Sequence, residues 1–428
     1  MSAASGGATL AGRAAWLSDR NLQRLLAVLS EGGEEARIAG GAIRNVLLGA
    51  AVTDIDIATT TLPEETVRRT RAAGFKPVPT GIEHGTVTVV AGGRPFEVTT
   101  LRADVETFGR HARVAFGRDW KADAERRDFT MNALYAEAEG AVIDLVGGLA
   151  DVESRTLRFI GDPEARIRED YLRILRFFRF FAWYGAGRPD AEGLRACARL
   201  KDGLKQLSAE RVWSELKKLL SAPDPSRALL WMRQAGVLGM VLPEGEKWGI
   251  DAIHALTKAE ADLGWTPNPL TRLEAILPPD AARMKELGKR LKLSNAEADR
   301  LMRWAQAGPV PSSTPETALV RMLYRGDPTA IEDHLRIVFA AARGRAADDD
   351  NALVEAGGYS RLLGMLQKWK RPVFPVSGDD LRGLGLEQGK GVGELLAGLE
   401  SEWIDTGFTL DRDALMARAA EKIADSGS

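Results

Sequence analysis

Strand signals crowd the first 160 residues of this 428-residue chain, and beyond about residue 160 helical periodicity replaces them. Alternation is clearest in GTVTVVAGGRPFEVTTLR (85–102), two β-rich runs joined through Ala91-Gly92-Gly93-Arg94, which reads as a hairpin. RIAGGAIRNVLLG (37–49) reads as strand, Gly-Gly turn and short helix stopped by Gly49. PEETVRRTRAAG (63–74) has the proline start and glycine end of a helix. The fold class expected is α+β: a small mixed-sheet head followed by an all-α neck, body and tail. The expected boundaries are a flexible tail at 1–20, the head at 21–155, a helical neck at 156–245, and a helical body and tail at 246–428. The Pro/Ser-rich AGPVPSSTPETA (307–318) reads as a linker or long loop.

Charge and cysteine usage narrow the class. One cysteine, Cys197, excludes a disulfide scaffold and a cysteine-based zinc site, and suits a reducing cytoplasm. The start, MSAASGGATLAG, has no basic region and no apolar core, so it is expected to be a frayed tail and not a signal peptide. No run approaches the roughly 18 apolar residues of a membrane span. A net charge of −2 argues against a chain that is basic all over, but leaves room for a local basic groove.

TDIDIATTT (53–61) sets Asp54 and Asp56 between Val52, Ile55 and Ile57. Residues two apart on a strand share a face. Two carboxylates therefore stand side by side, and Glu97, alternating with Phe96 and Val98, offers a third on a plausible neighbouring strand. Such acids repel unless divalent cations sit among them, and two hard cations on oxygen ligands are what nucleotidyl transfer requires. A lone Asp-x-Asp is more often a turn cap beside a solvated acid. The neighbours decide: Gly40-Gly41 lies at a strand-to-helix junction, where backbone N–H groups favour phosphate, and Arg44 adds a cation.

RIAGGAIRNVLLGAAVTDIDIAT resembles the class II branch of the DNA polymerase β-like nucleotidyltransferase superfamily, which holds CCA-adding enzymes and bacterial poly(A) polymerases. TGIEHGTVTV (80–89), FEVTTLR (96–102), ERRDFTMNALY (125–135), VIDLVGGLADV (142–152) and REDYLRILRFFRF (168–180) match in order. One departure is Asn45, which stands where the family's usual acid follows the glycine-loop arginine; it keeps an acceptor and loses a charge. The resemblance implies that Asp54 and Asp56 bind two catalytic Mg2+ ions and that Glu97 is the third carboxylate. It also implies Gly41, Arg44 and Arg127 on the nucleotide's phosphates or sugar, and Asp128 at the ribose-reading position.

GDPEARIREDYLRILRFFRFFAWYG (161–185) is expected to be one helix, capped by Asp162, with Pro163 first and Gly185 as terminator. Arg166, Asp170, Arg173 and Arg176 fall in one arc; Ile174, Phe178 and Phe181 fall in another. By resemblance, Asp170 and Arg173 read the base, with Arg176 and Arg179 as further nucleotide contacts. An aspartate accepts from an exocyclic amino group and an arginine donates to a ring nitrogen. Cytosine and adenine both present that pair of groups, whereas uracil and guanine do not, so one fixed Asp/Arg pair selects C and A together.

Between 163 and 220 there are 13 Lys/Arg against 8 Asp/Glu, a local excess suited to an RNA backbone. Gly385, Gly389, Gly391 and Gly393 with Lys390 offer a second candidate RNA contact, against a reading of tight helix packing. His84, His111, His254 and His334 are scattered, and none is followed directly by Asp, which argues against a metal-dependent phosphohydrolase domain. The expected activity is template-independent addition of C, C and A to tRNA from CTP and ATP. The expected partners are tRNA, CTP and ATP, with no membrane and no protein partner implied. The alternatives are a poly(A) polymerase, an enzyme adding only CC or only A, or a non-catalytic RNA-binding factor. The stretch TGIEHGTVTV, where poly(A) polymerases usually carry a basic Gly-Arg-Arg-Phe strand, favours CCA.

Overall fold

The computed structural model describes residues 8–108, 111–245, 249–386 and 389–426. The chain forms two compact units, Met1–Glu246 and Lys247–Ser428.

The first unit is built on β1 (Ala36–Ala39), β2 (Asp56–Thr59), β3 (Lys76–Gly81), β4 (Thr86–Ala91) and β5 (Arg94–Thr100), followed by β6 (Arg102–Phe108), β7 (His111–Phe116), β8 (Leu134–Ala136) and β9 (Val142–Asp144). Seven of these make one mixed sheet in the order β3-β4-β5-β2-β1-β8-β9, while β6 and β7 pair separately. The alternation of TVTVVA appears directly as burial: Val87, Val89 and Ala91 are buried while Thr86, Thr88 and Val90 are only partly so. Gly92 and Gly93 both have positive φ (59° and 80°), the backbone of a two-residue turn whose twist matches its strands. The central pairing is β2 with β5, which is parallel and sets Asp56 opposite Glu97.

The helices of this unit are α1 (Arg20–Leu29), α2 (Gly41–Leu48), α3 (Pro63–Ala72), α4 (Trp120–Glu125), α5 (Gly148–Glu153), α6 (Pro163–Glu169), α7 (Leu172–Tyr184), α8 (Ala191–Leu200), α9 (Ala209–Leu220), α10 (Ser226–Gln234) and α11 (Val237–Val241). Gly49 ends α2 in the left-handed conformation and Pro63 opens α3, both as the sequence indicates.

Two expectations need correction. Residues 8–20 are not a flexible tail. Thr9 bridges Ala141, the Leu10 amide donates to the Gly140 carbonyl at 2.8 Å, and Leu10 and Leu17 are buried. Apolar side chains at that spacing dock onto the edge formed by β8 and β9; residues 1–7 of the expected tail lie outside the described residues. The second correction is that 161–185 is not one helix. It breaks at Asp170, whose φ and ψ of −155° and 108° are extended. Asp170 Oδ1 accepts the Leu172 amide at 3.1 Å and its carbonyl accepts the Arg173 amide at 3.0 Å, so it starts α7 instead of continuing α6. Aspartate competes for backbone N–H groups in this way and is a better helix cap than helix interior.

The apolar arc of α7 packs as its spacing indicates, with Ile174, Phe178 and Phe181 all buried. Phe177 stacks on Phe159 at 5.4 Å between ring centres, and Phe129 lies 5.4 Å from Phe180. Phe129 follows Asp128 directly, so this aromatic contact fixes α7 against the loop that carries Arg127 and Asp128. Truncating such a ring to alanine removes about 3–5 kcal/mol.

The second unit contains α12 (Ile250–Leu263), α13 (Pro269–Ala275), α14 (Ala281–Leu291), α15 (Asn295–Ala307), α16 (Glu316–Arg325), α17 (Pro328–Arg345), α18 (Asp350–Lys368), α19 (Gly378–Arg382), α20 (Lys390–Asp405) and α21 (Arg412–Ser426). The Pro/Ser-rich stretch is a loop inside this unit, between α15 and α16, with Val310 and Thr314 buried, and not a linker between units. Gly385, Gly389, Gly391 and Gly393 flank or begin α20; residues 387 and 388 between them lie outside the described residues. Among the described residues, no helix is long and apolar enough to cross a membrane.

Candidate active site

A cleft of about 660 Å³ in the first unit is lined by residues from the sheet, the glycine turn, the loop after α4, and α7. Gly41, Arg44, Asp56, Glu97, Arg127, Asp128, Asp170, Arg173, Arg176 and Arg179 all line it. Asp54 is the one expected site residue outside that lining. It precedes β2, is exposed, and accepts from the Thr53 hydroxyl at 2.9 Å.

Asp56 and Glu97 owe their positions to strand parity. Ile55, Ile57, Phe96 and Val98 are buried, which turns Asp54, Asp56 and Glu97 away from the core. Burial first, then the Glu97 charge, push the Asp56 carboxyl above the usual aspartate range; Arg127 opposes this and Asp54 adds to it. Among the described residues no three His, Cys, Asp or Glu side chains form a ready-made metal cage.

The glycine turn is tight. Gly40 has φ +68°, and a Cβ there would lie 3.2 Å from the Asn132 carbonyl and 3.3 Å from Arg127 Nη1. Gly41 opens α2, whose backbone N–H groups face outward at its start. Arg44 is buried and is held by neutral amides: it donates to Asn132 Oδ1, and to Asn45 Oδ1 at 2.8 and 3.2 Å. The acceptor that Asn45 retains in place of the family's acid is therefore in use. Arg44 also lies 3.8 Å from the centre of the Tyr184 ring. Burial lowers its pKa, with the Arg179 charge acting in the same direction.

Arg127 is oriented by Asp123, which receives its Nε and Nη2 at 3.3 and 3.2 Å. Asp123 also accepts from Arg126 and, at 2.7 Å, from the Tyr135 hydroxyl. Burial alone would raise Asp123, but the two arginines and the tyrosine outweigh it and hold it below the usual range. Asp128 accepts Arg176 Nε at 2.7 Å on one oxygen, and the Phe129 amide and Asn132 side chain on the other. Here too burial is overcome, chiefly by Arg176, and the carboxyl is held low. Arg179 donates to buried Glu215 at 2.5 Å.

Apart from the backbone bond between them, Asp170 and Arg173 have different partners. Arg173 Nη1 donates to the Arg166 carbonyl at 2.7 Å and to Glu169. Asp170 Oδ2 accepts Arg211 at 2.6 Å. Each base-reading candidate is thus steered by a different neighbour. Arg166, grouped with them by helical phase, serves the loop instead, donating to the carbonyls of Arg126 and Arg127.

Sequence reasoning missed Asp123, Asn132, Tyr184, Glu215 and Arg211. Arg211 and Glu215 are one turn apart on α9, the only local hint available; nothing ties Arg211 to a partner 41 positions earlier.

Residues 36–158 match the family "Poly A polymerase head domain", and residues 189–248 match "Probable RNA and SrmB- binding site of polymerase A". The mitochondrial CCA tRNA nucleotidyltransferase 1 of Mus musculus is 34% identical over 405 residues, covering 94% of this chain and 90% of that protein. The CCA-adding enzyme of Geobacillus stearothermophilus is 40% identical over 212 residues, covering 49% of this chain and 51% of its own. A crystal structure of the Bacillus stearothermophilus CCA-adding enzyme in complex with CTP shares the fold, with a TM-score of 0.74 and 24% identity over 95% of this chain and 98% of that one. Identity sustained along nearly the whole length of both chains, joined to an acid pair, a glycine turn and an arginine-lined cleft in one unit, places this nucleotidyltransferase in the family of CCA-adding tRNA nucleotidyltransferases.

Proposed function

We propose that this protein rebuilds the 3′ end of tRNA by adding C, C and A in turn from CTP and ATP, without a template, and that magnesium is the ion it uses. The observation that carries the reading is one cleft holding both the chemistry and the choice of base: Asp56 and Glu97 on adjacent strands, with Asp170 and Arg173 at the start of α7.

The family works with divalent metal, and the donors here fit a hard cation: all are carboxylate oxygens, and the charge Asp56 shares space with is another carboxylate. Asp54 and Asp56 are the residues that would hold it, with Glu97 completing the acidic edge. The chemistry such an ion would supply there is a lowered pKa for the attacking 3′-hydroxyl and neutralisation of the leaving pyrophosphate. The backbone of Gly40-Gly41 lets the triphosphate approach the start of α2, where Arg44 and Arg127 supply positive charge. Asp128 takes the sugar hydroxyl, with Arg176 fixing the carboxylate's orientation.

Base choice falls to Asp170 and Arg173. With Nη1 engaged on Arg166 and Glu169, Arg173 keeps Nε and Nη2 as donors to a ring nitrogen. Asp170, pinned by Arg211 and by its bond to the Leu172 amide, keeps lone pairs for an exocyclic amino group. A reducing compartment, the cytoplasm, fits a chain whose one cysteine, Cys197, is buried.

The test is incubation with tRNA lacking its CCA end and each labelled nucleotide alone. CTP alone should add label to that end; ATP should add label only once both cytidines are in place; UTP and GTP should add little. Incorporation of ATP alone in long runs would instead mark a poly(A) polymerase.

A further inference from the structure

Phe180 sits among three guanidinium groups. Arg179 lies 3.9 Å from the centre of its ring, Arg176 5.2 Å and Arg44 5.3 Å. One turn along α7, the Tyr184 ring lies 5.9 Å from Phe180 and carries Arg44 at 3.8 Å. Both rings line the cleft.

The three cations are not held alike. Arg176 pairs with Asp128 and Arg179 with Glu215, but Arg44 hydrogen-bonds to the neutral amides of Asn45 and Asn132. Arg44 is therefore the one of the three with no carboxylate bonded to it, and the like charges oppose each other: Arg179 disfavours the charged form of Arg44, and Arg176 that of Arg179. An aromatic face carries partial negative charge and attracts guanidinium groups without accepting a proton or closing a salt bridge. Unlike a carboxylate at the same place, a ring leaves the charge of Arg44 uncancelled and adds no further negative charge to the ion-paired Arg176 and Arg179.

We propose that Phe180 and Tyr184 are positioning residues: an aromatic platform that gathers Arg44 from α2 with Arg176 and Arg179 from α7 into one grip on the nucleotide's polyphosphate. The inference rests on the nucleotidyl-transfer reading and extends it. Because the platform holds phosphate-binding groups and not the base-reading pair, its loss should weaken CTP, ATP and pyrophosphate alike. Arg44 belongs to the glycine turn and the other two to the base-reading helix, so the rings also tie the two halves of the nucleotide site together.

The test compares Phe180→Leu, Tyr184→Leu and Tyr184→Phe in the full-length protein. The two leucine variants should raise KM for CTP and for ATP by the same factor, about 3- to 30-fold on the strength of a partly desolvated cation–π contact. The dissociation constant of inorganic pyrophosphate, measured by calorimetry, should rise in parallel. Preference for C and A over U, and the affinity for tRNA, should stay as in the wild type. Tyr184→Phe, which keeps the ring, should recover most of the loss. Phe180 is buried; if its leucine variant does not fold, Tyr184→Leu decides, since Tyr184 is partly exposed. Unchanged pyrophosphate affinity in a folded Tyr184→Leu overturns the proposal, as does a change confined to base preference. A wild type that binds pyrophosphate but adds neither C nor A would refute the proposed function instead, while the calorimetric comparison would still decide the platform.

Discussion

Asp170→Ala removes three interactions that the structure lets one separate. The first is the local bond just before α7, where Oδ1 accepts the Leu172 amide at 3.1 Å. Loss of such a hydrogen bond costs about 1 kcal/mol, which in a unit of this size lowers the melting temperature by roughly 2–4 °C. The second is the ion pair with Arg211; both side chains are about a third exposed (31% and 28%), so screening holds its net worth to less than about 1 kcal/mol. The third is the acceptor proposed for the base's amino group, which would be a charge-assisted bond of about 1.5–3 kcal/mol when desolvated by a bound nucleotide, or roughly 10- to 150-fold in discrimination. Arg211→Ala removes only the second and should lower C/A preference by about 2- to 5-fold, within that same limit. The assay is kcat/KM for CTP, ATP and UTP on tRNA lacking its end, together with thermal unfolding. Asp170→Ala should depress CTP and ATP together and narrow the gap to UTP far more than Arg211→Ala does. If folded Asp170→Ala keeps full C/A preference, the base-reading assignment is wrong and the charged arc is only a solvated face.

Asp54→Ala or Asp56→Ala should abolish incorporation while tRNA binding, followed by gel shift or fluorescence anisotropy, stays near normal; near-wild-type turnover with magnesium would exclude both as metal ligands. Asn45→Ala removes the Oδ1 that receives two Arg44 nitrogens, so KM for both nucleotides should rise about 10-fold, the lower end of the value of one hydrogen bond to a charged group; an unchanged KM would show that Asn132 alone suffices. Glu274, on α13, is almost fully buried with neither oxygen hydrogen-bonded, 3.9 Å from Arg300. Burial, and then the Asp333 charge, raise its carboxyl well above 4.5. The folded state thus holds a proton that the unfolded state releases above 4.5, so stability is full below that pH and falls as pH rises toward the folded-state value. Glu274→Gln, neutral at every pH, should therefore raise the melting temperature at pH 8 and leave it almost unchanged at pH 4; equal effects at both would contradict a buried proton.

Local periodicity made much of this legible. Alternation in TVTVVA and around Asp54 and Asp56 gave strand faces, and parity alone turned the acids away from the core. The pairing of Asp56 with Glu97 followed because β2 and β5 keep that parity across a parallel register. Helical phase failed at Asp170 because a periodic pattern carries no mark of one residue whose side chain captures the next amide. Grouping by phase also put Arg166 with the base-reading candidates, when its Nη2 goes to two loop carbonyls 39 and 40 positions away and its Nη1 to Glu169. Contacts of that range, like Asp170 with Arg211 or Arg179 with Glu215, leave no local trace. Nor did Leu10 and Leu17 announce themselves: two apolar residues in a glycine-rich start bury only because β9 leaves an edge for Thr9 to bridge.

The central claim is that one cleft adds C, C and A and then stops. The most direct measurement is sequencing of the 3′ ends formed when tRNA lacking CCA is incubated with the protein, CTP, ATP and magnesium together. The account predicts ends of C, CC and finally CCA, with no U or G when all four nucleotides are supplied and no growth beyond the A. Homopolymeric A tails, ends that halt at CC with ATP present, or any sequence set by chance would contradict it.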